Sequence, residues 1–132
     1  MEGDAYHSPA NIRKMSAATP LTDSDRAGWL DAILKAEQAA PERQIVLACS
    51  ALTPYVQQRL MTSARRLHWM HLAAPIEIIG NRIERRSGHF MPPELLASQY
   101  KALFPPKSAA VINAAQPIEV CLAEIMKHLP KL

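Results

Sequence analysis

A chain of 132 residues is the size of one domain, and 48% hydrophobic residues is enough for a core. With only 5% aromatics, that core must be built mainly from Leu, Ile, Val, Ala and Met. The formal charge of +3 suits an anionic ligand but is too weak to specify nucleic acid, and no apolar run approaches a membrane span.

The acidic start Met1-Glu2-Gly3-Asp4 is not a signal peptide, so a cytoplasmic protein is expected. Residues 1–23 read as irregular around a short helical piece near Ala10–Met15, with Ser8-Pro9 and Thr19-Pro20 as turn formers. Asp23 or Ser24 can cap a helix running to about Ala39, with Trp29, Leu30, Ile33 and Leu34 on one face and Pro41 behind it. The continuous apolar run Ile45–Cys49 predicts a strand buried on both faces. Thr53 and Pro54 then supply an N-cap and a first-turn proline for a helix to about Arg65.

The strand–helix unit recurs. Leu67–Leu72 predicts a strand, and Pro75 opens a helix carrying Ile76, Ile79 and Ile83 that Ser87-Gly88 breaks. A further helix carries Leu95, Leu96, Gln99 and Leu103, and Ala109–Asn113 predicts another strand. The last helix starts at Pro117 with an apolar stripe of Ile118, Cys121, Leu122, Ile125, Met126 and Leu129. Strands alternating with helices imply one α/β domain over 1–132 with a mostly parallel sheet and crossover connections. Cys49 and Cys121 lie in apolar runs and are expected to be buried, reduced thiols; no Cys/His spacing marks a metal site.

Chemistry concentrates near the start, where Asp4, His7, Asn11, Lys14 and Arg26 fall in a loop-rich segment over residues 1–26. A polyhydroxylated acid needs such a set: carboxylate and amide groups for hydroxyls, cations for the acid. Composition alone favours a solvated loop, with Asp4 and His7 an ordinary turn pair. Arg26 lies near a helix N-terminus, where a cation is slightly unfavourable, and that mismatch favours a ligand role. Arg82 and Arg86 are four apart and share one helix face, either as a solvated basic helix end or as cations aimed at a ligand.

The order of these residues is more specific than their composition. Gly3-Asp4-x-x-His7, Asn11-x-x-Lys14-Met15, Pro20-Leu21-x-Asp23-x-Asp25-Arg26 and Trp29-Leu30 resemble the gluconate kinase family, a branch of the P-loop kinases. Ala48–Leu52 resembles its Cys-Ser-Ala-Leu strand end, Arg82–Phe90 its lid, Leu95–Tyr100 the helix after the lid, and Gln116-Pro117 the start of its last helix. The resemblance implies a nucleoside-monophosphate-kinase-like fold and phosphorylation of D-gluconate, or a similar sugar acid, by ATP with Mg2+. It makes Asp4 the group that orients or deprotonates the attacking hydroxyl. It makes His7, Asn11, Lys14 and Arg26 the sugar-acid ligands, Lys14 and Arg26 facing its carboxylate. Residues 82–93 become a lid whose Arg82 and Arg86 meet the nucleotide phosphates, Arg86 also acting in catalysis. His89 reads either as a substrate contact or as an anchor of the lid.

One part of the pattern is lacking. A P-loop kinase cradles phosphates with Gly-x-x-x-x-Gly-Lys-Ser/Thr, and no pair among Gly3, Gly28, Gly80 and Gly88 has that spacing. The family places this loop, with its strand and helix, ahead of the Gly-Asp segment. The expectation is therefore truncation, a misplaced start, or rescue by a homodimer partner or a complementing chain. A non-catalytic remnant that binds a sugar acid or a partner is the rival of an active kinase. Smaller departures are Thr53, Val56, Gln57 and Met61 after the Ile45–Cys49 strand, Ala18 for a glycine, Gly28 for a proline, and Phe104 near an acidic position. Nucleic acid as a partner rests only on basicity and Arg65-Arg66, and is not expected.

Overall fold

The computed structural model describes residues 1–130. Its first segment is a 3-10 turn over Gly3–Tyr6, followed by helix α1, Pro9–Ser16. Ser8 caps α1 by accepting the Asn11 N–H at 3.1 Å, and Pro9 takes the first turn, where its missing N–H costs nothing. The helix ends in a Schellman motif: Thr19 N–H donates to the Lys14 carbonyl and Ala18 N–H to the Met15 carbonyl. Ala18 therefore sits at φ 56°, a left-handed conformation that disfavours any residue with a Cβ.

Helix α2, Asp23–Ala39, is capped by Thr22, one residue before the expected Asp23 or Ser24. The Thr22 hydroxyl accepts the Asp25 N–H while the Asp25 carboxylate accepts the Thr22 N–H, a reciprocal box that fixes the start. Helix α3, Pro54–Leu60, begins as expected at Thr53 but stops well short of Arg65. Thr62 turns its hydroxyl back on the Arg59 carbonyl and Ser63 accepts the Arg65 N–H, so local side-chain bonds replace helical ones. Arg65 itself reaches the end of α2, donating to the carbonyls of Glu37, Ala40, Glu42 and Arg43 and pairing with the Glu37 carboxylate. It is a cation capping a helix C-terminus, not part of a free basic patch.

Trp29, Leu30 and Ile33 of α2 and Val56 and Leu60 of α3 form the core, with Met1, Tyr6, Leu47, Cys49, Ala51, Tyr55 and Trp69 packed around it. Gln57 is buried beside them, its amide donating to the carbonyls of Ala51 and Phe104. Val56 and Gln57 thus belong to packing and backbone satisfaction.

Strand β1, Met70–Ala73, pairs in parallel with β2, Ala110–Asn113, in the register Met70↔Ala110 to Ala73↔Asn113. Between them run α4, Ile76–Arg85, and, after a 3-10 turn at Pro93–Leu95, α5, Leu96–Ala102. Helix α6, Ile118–His128, closes the chain's described part and packs on β2. The architecture is α/β with a parallel sheet, as expected.

The sheet is smaller than expected. The run Ile45–Cys49 forms one parallel bridge, Glu2↔Ala48, supported by the Met1 ammonium on the Val46 carbonyl, Ala48 N–H on Met1 and Gly3 N–H on Ala48. It is not buried on both faces: Val46 is 82% exposed. The reason is pairing. Met1–Gly3 occupies one edge, and among the described residues nothing pairs with the other edge or with the free edge of β1. The stripe on α6 is likewise open to solvent, with Ile118 77% exposed and Leu122 and Met126 also exposed. Neither cysteine is fully buried: Cys121 donates weakly to the Asn113 carbonyl, and Cys49 is half-buried, its thiol pushed up to about 11 by burial and by the charges of Asp4 and Glu2. No helix among the described residues is long and apolar enough to cross a membrane.

Replacing Ala18 by Gly removes the left-handed penalty without touching a contact. Ala18→Gly is expected to stabilise the chain by about 1 kcal/mol, measured as a raised denaturation midpoint at unchanged slope.

Candidate functional site

The site is assembled on the 3-10 turn because of Gly3. A Cβ built there would lie 2.6 Å from the Cys49 Cβ and 2.9 Å from the Ala48 carbonyl oxygen, so only glycine lets the turn approach the 45–49 segment. The buried Trp29 indole N–H donates to the Gly3 carbonyl at 2.8 Å and fixes the same turn from α2. Asp4 follows directly, with its side chain partly open to solvent.

His7 lies flat on Trp29, centroids 4.6 Å apart and planes 10° from parallel, and Phe90 meets its edge at 6.0 Å. Its Nδ1 is 3.4 Å from the Asn11 amide nitrogen. The buried Asn11 uses its other amide hydrogen on the Asp25 carbonyl at 2.9 Å. With Nδ1 accepting, the ring is neutral and carries its proton on Nε2. Burial lowers the His7 pKa below its ordinary value of 6.5; Asp4 pulls it up and Arg26 pushes it further down.

The cations are less free than their positions in the chain imply. Lys14 Nζ is 2.6 Å from the Asp25 carboxylate, whose pKa falls to about 2 through the Lys14 hydrogen bond and the Thr22 N–H. Arg26 pairs with Asp23 at 3.0 Å, one turn earlier in α2. The unfavourable place of Arg26 at a helix start is thus offset locally, which removes the mismatch that pointed to a ligand.

The segment that the sequence reading took for a lid meets the first turn, 85 residues away in the chain. His89 Nε2 is 2.7 Å from Asp4 Oδ2, its Nδ1 is 3.0 Å from the Arg86 guanidinium, and its ring stacks on Phe90. Arg82 and Arg86 line a cavity of about 260 Å³ with Ile79, Ile83 and Met91. Asp4, His7, Asn11, His89 and Arg86 therefore form one connected group. Lys14 and Arg26 stand behind it, each held by an acid of α2, and Arg82 faces the lid cavity. Three participants stood in the motifs of the sequence reading without a role of their own: Trp29, the bed of His7, Asp25, the counter-charge of Lys14, and Phe90.

The chain as a whole is similar to known proteins. A gluconokinase of Gluconobacter oxydans is 36% identical over 132 residues, spanning 96% of this chain and 74% of that protein. The chain belongs to the gluconokinase family. A solved gluconokinase from Sinorhizobium meliloti superposes with a TM-score of 0.78 at 38% identity, covering 96% of this chain and 76% of its own. An unliganded sugar kinase from Janibacter does so at 0.84 and 33% identity, covering 97% and 77%. No protein-family profile matches. The fold over the matched part is that of a P-loop sugar kinase, and the chain spans about three quarters of each of these relatives.

Two outcomes follow for this gluconokinase-family site. Gly3→Ala forces overpacking against Cys49 and is expected to cost about 1–3 kcal/mol in a chemical melt. For His7, the folded pKa lies below the unfolded 6.5, so the unfolded chain binds more protons. Its stabilising share is complete above 6.5 and is lost as pH falls through the lowered folded value. Melting temperature should therefore drop between pH 7.5 and pH 5, and less so in His7→Gln; equal slopes in both proteins would contradict a buried neutral His7.

Proposed function

We infer that this chain binds D-gluconate, or a sugar acid of the same kind, in the group formed by Asp4, His7, Asn11 and the lid, and that it derives from a kinase making 6-phosphogluconate. The observation that supports this best is the direct link between the first turn and the lid, His89 on Asp4. It places a carboxylate, a neutral imidazole and an amide beside a cationic lid, a set suited to hydroxyls and an anionic group. Asp4 would accept a hydrogen bond from the attacking hydroxyl. His7 and Asn11 would bind neighbouring hydroxyls, and Lys14 and Arg26, each shared with Asp25 or Asp23, would meet the substrate carboxylate.

ATP and Mg2+ fit this chain only at the lid, where Arg82 and Arg86 suit a polyphosphate. The sequence holds no glycine-rich cradle, and among the described residues no three His, Cys, Asp or Glu side chains gather to hold a metal ion. Phosphoryl transfer by these residues alone is therefore not expected. The second reading, a sugar-acid-binding protein that needs a homodimer partner or a complementing chain, is favoured by the unpaired edges of 45–49 and β1 and by the exposed face of α6. A cytoplasmic setting fits either reading.

Titration calorimetry with sodium gluconate and, separately, Mg-ATP tests the reading. Gluconate is expected to bind, and Lys14→Ala to weaken it by less than about tenfold, because Asp25 already shares the ammonium that would meet the acid group. Mg-ATP is expected to bind weakly at best. No heat from gluconate, or micromolar affinity for Mg-ATP, would overturn the assignment.

A further inference from the structure

The histidine of the lid has two ring nitrogens with different partners, and those partners determine where its proton sits. Arg86 Nη2 lies 3.0 Å from His89 Nδ1, and the Met91 backbone N–H donates to the same atom at 3.1 Å. Both neighbours are donors only, so Nδ1 must accept and carries no hydrogen. The ring proton is therefore on Nε2, aimed at Asp4 Oδ2 2.7 Å away. The contact is a directed N–H to carboxylate bond, not a pairing of two free charges. The other carboxylate oxygen, Oδ1, accepts no hydrogen bond from the described residues, and the Asp4 side chain keeps about a third of its surface open (36%).

We propose that His89 is a positioning residue for Asp4: the lid backbone and Arg86 fix its tautomer, and its Nε2–H clamps Oδ2 so that Oδ1 is presented to the substrate hydroxyl. This ties the orientation of the carboxylate to the lid, 85 residues away in the chain. In this position of the lid, Arg86 and Asp4 are held in register through one imidazole. A carboxylate held at one oxygen has given up its rotation before substrate arrives, which lowers the ordering cost of the productive pose. Phe90 adds to the clamp, since it stacks on His89 and meets the edge of His7. The proposal deepens the sugar-acid reading of this site and rests on it for the identity of the hydroxyl.

The test uses the whole chain in solution. Long-range proton–nitrogen correlation spectra of the imidazoles, with His89 assigned by its loss in His89→Gln, are expected to show a single Nε2–H tautomer. Arg86→Ala, which removes one of the two donors to Nδ1, should convert it toward a mixture. The Asp4 carboxyl carbon should shift in His89→Ala and return toward its original position in His89→Gln, whose amide can still donate to Asp4. Gluconate affinity should fall on the order of tenfold in His89→Ala and recover most of that in His89→Gln, since one hydrogen bond to a charged group is at stake. A mixed tautomer in the unaltered chain, or an Asp4 carbon indifferent to His89→Ala, overturns the clamp. The spectra need no ligand, so the clamp and the sugar-acid reading can fail separately. An intact Nε2–H tautomer with no response to sodium gluconate retires only the sugar-acid reading; a gluconate response with a mixed tautomer retires only the clamp.

Discussion

The hydrogen bond from the Trp29 indole to the Gly3 carbonyl carries the site. It is made between a core side chain and the backbone of the turn that holds Asp4, so the position of the carboxylate is fixed by the packing of α2 on α3. Gly3 must be bare of a side chain for that turn to reach Cys49 and Ala48, while Leu47 and Cys49 bring the 45–49 segment against the core. The upper face of Trp29 is used a second time, as the bed on which His7 lies. One indole therefore sets the distance between the carboxylate and the imidazole, and through Asn11 it also sets the approach of α1 to α2.

Charge around this frame is arranged in closed pairs. Asp25 serves three groups at once: it completes the cap of α2, accepts the Lys14 ammonium, and lends its carbonyl to Asn11. Asp23 does the same on a smaller scale for Arg26. A bound anion would not meet free cations; it would compete with aspartates already in place. The gain from an incoming carboxylate is then the difference between two ion pairs, which is small where both are exposed to water. On the sugar-acid reading proposed above, selectivity would come from the directional groups His7, Asn11 and Asp4, which their neighbours hold in place.

Much of this was legible in the sequence because it is local. Thr53-Pro54 and Pro117 mark helix starts by chemistry that acts within one turn, and both helices begin there. The order of Asp4, His7, Asn11 and Lys14 is a one-dimensional pattern that survives without coordinates. What was not legible depends on partners distant in the chain. Whether Ile45–Cys49 becomes a strand is decided by what lies on its two edges. Whether Arg65 extends α3 or caps α2 is decided by the end of α2. Periodicity alone read the stripe on α6 as a buried face, but burial is a property of the neighbour as well as of the helix.

The open edges and the site are linked by the same strands. The 45–49 segment supports the turn under Asp4 on one side and leaves the Leu47 backbone groups without a backbone partner on the other. Strand β1 leads into α4, which is followed by Arg86 and His89, and among the described residues β1 pairs with β2 alone. The Asp4 half and the lid half are thus mounted on two separate pieces of sheet. What holds them in register is the core around Trp29 and Trp69, the bonds of Gln57 to Ala51 and Phe104, and the contact of His89 with Asp4 itself. In this chain the geometry of the site therefore depends on a few side-chain bonds, and anything that binds across the two halves stabilises the fold and orders the site by the same interaction.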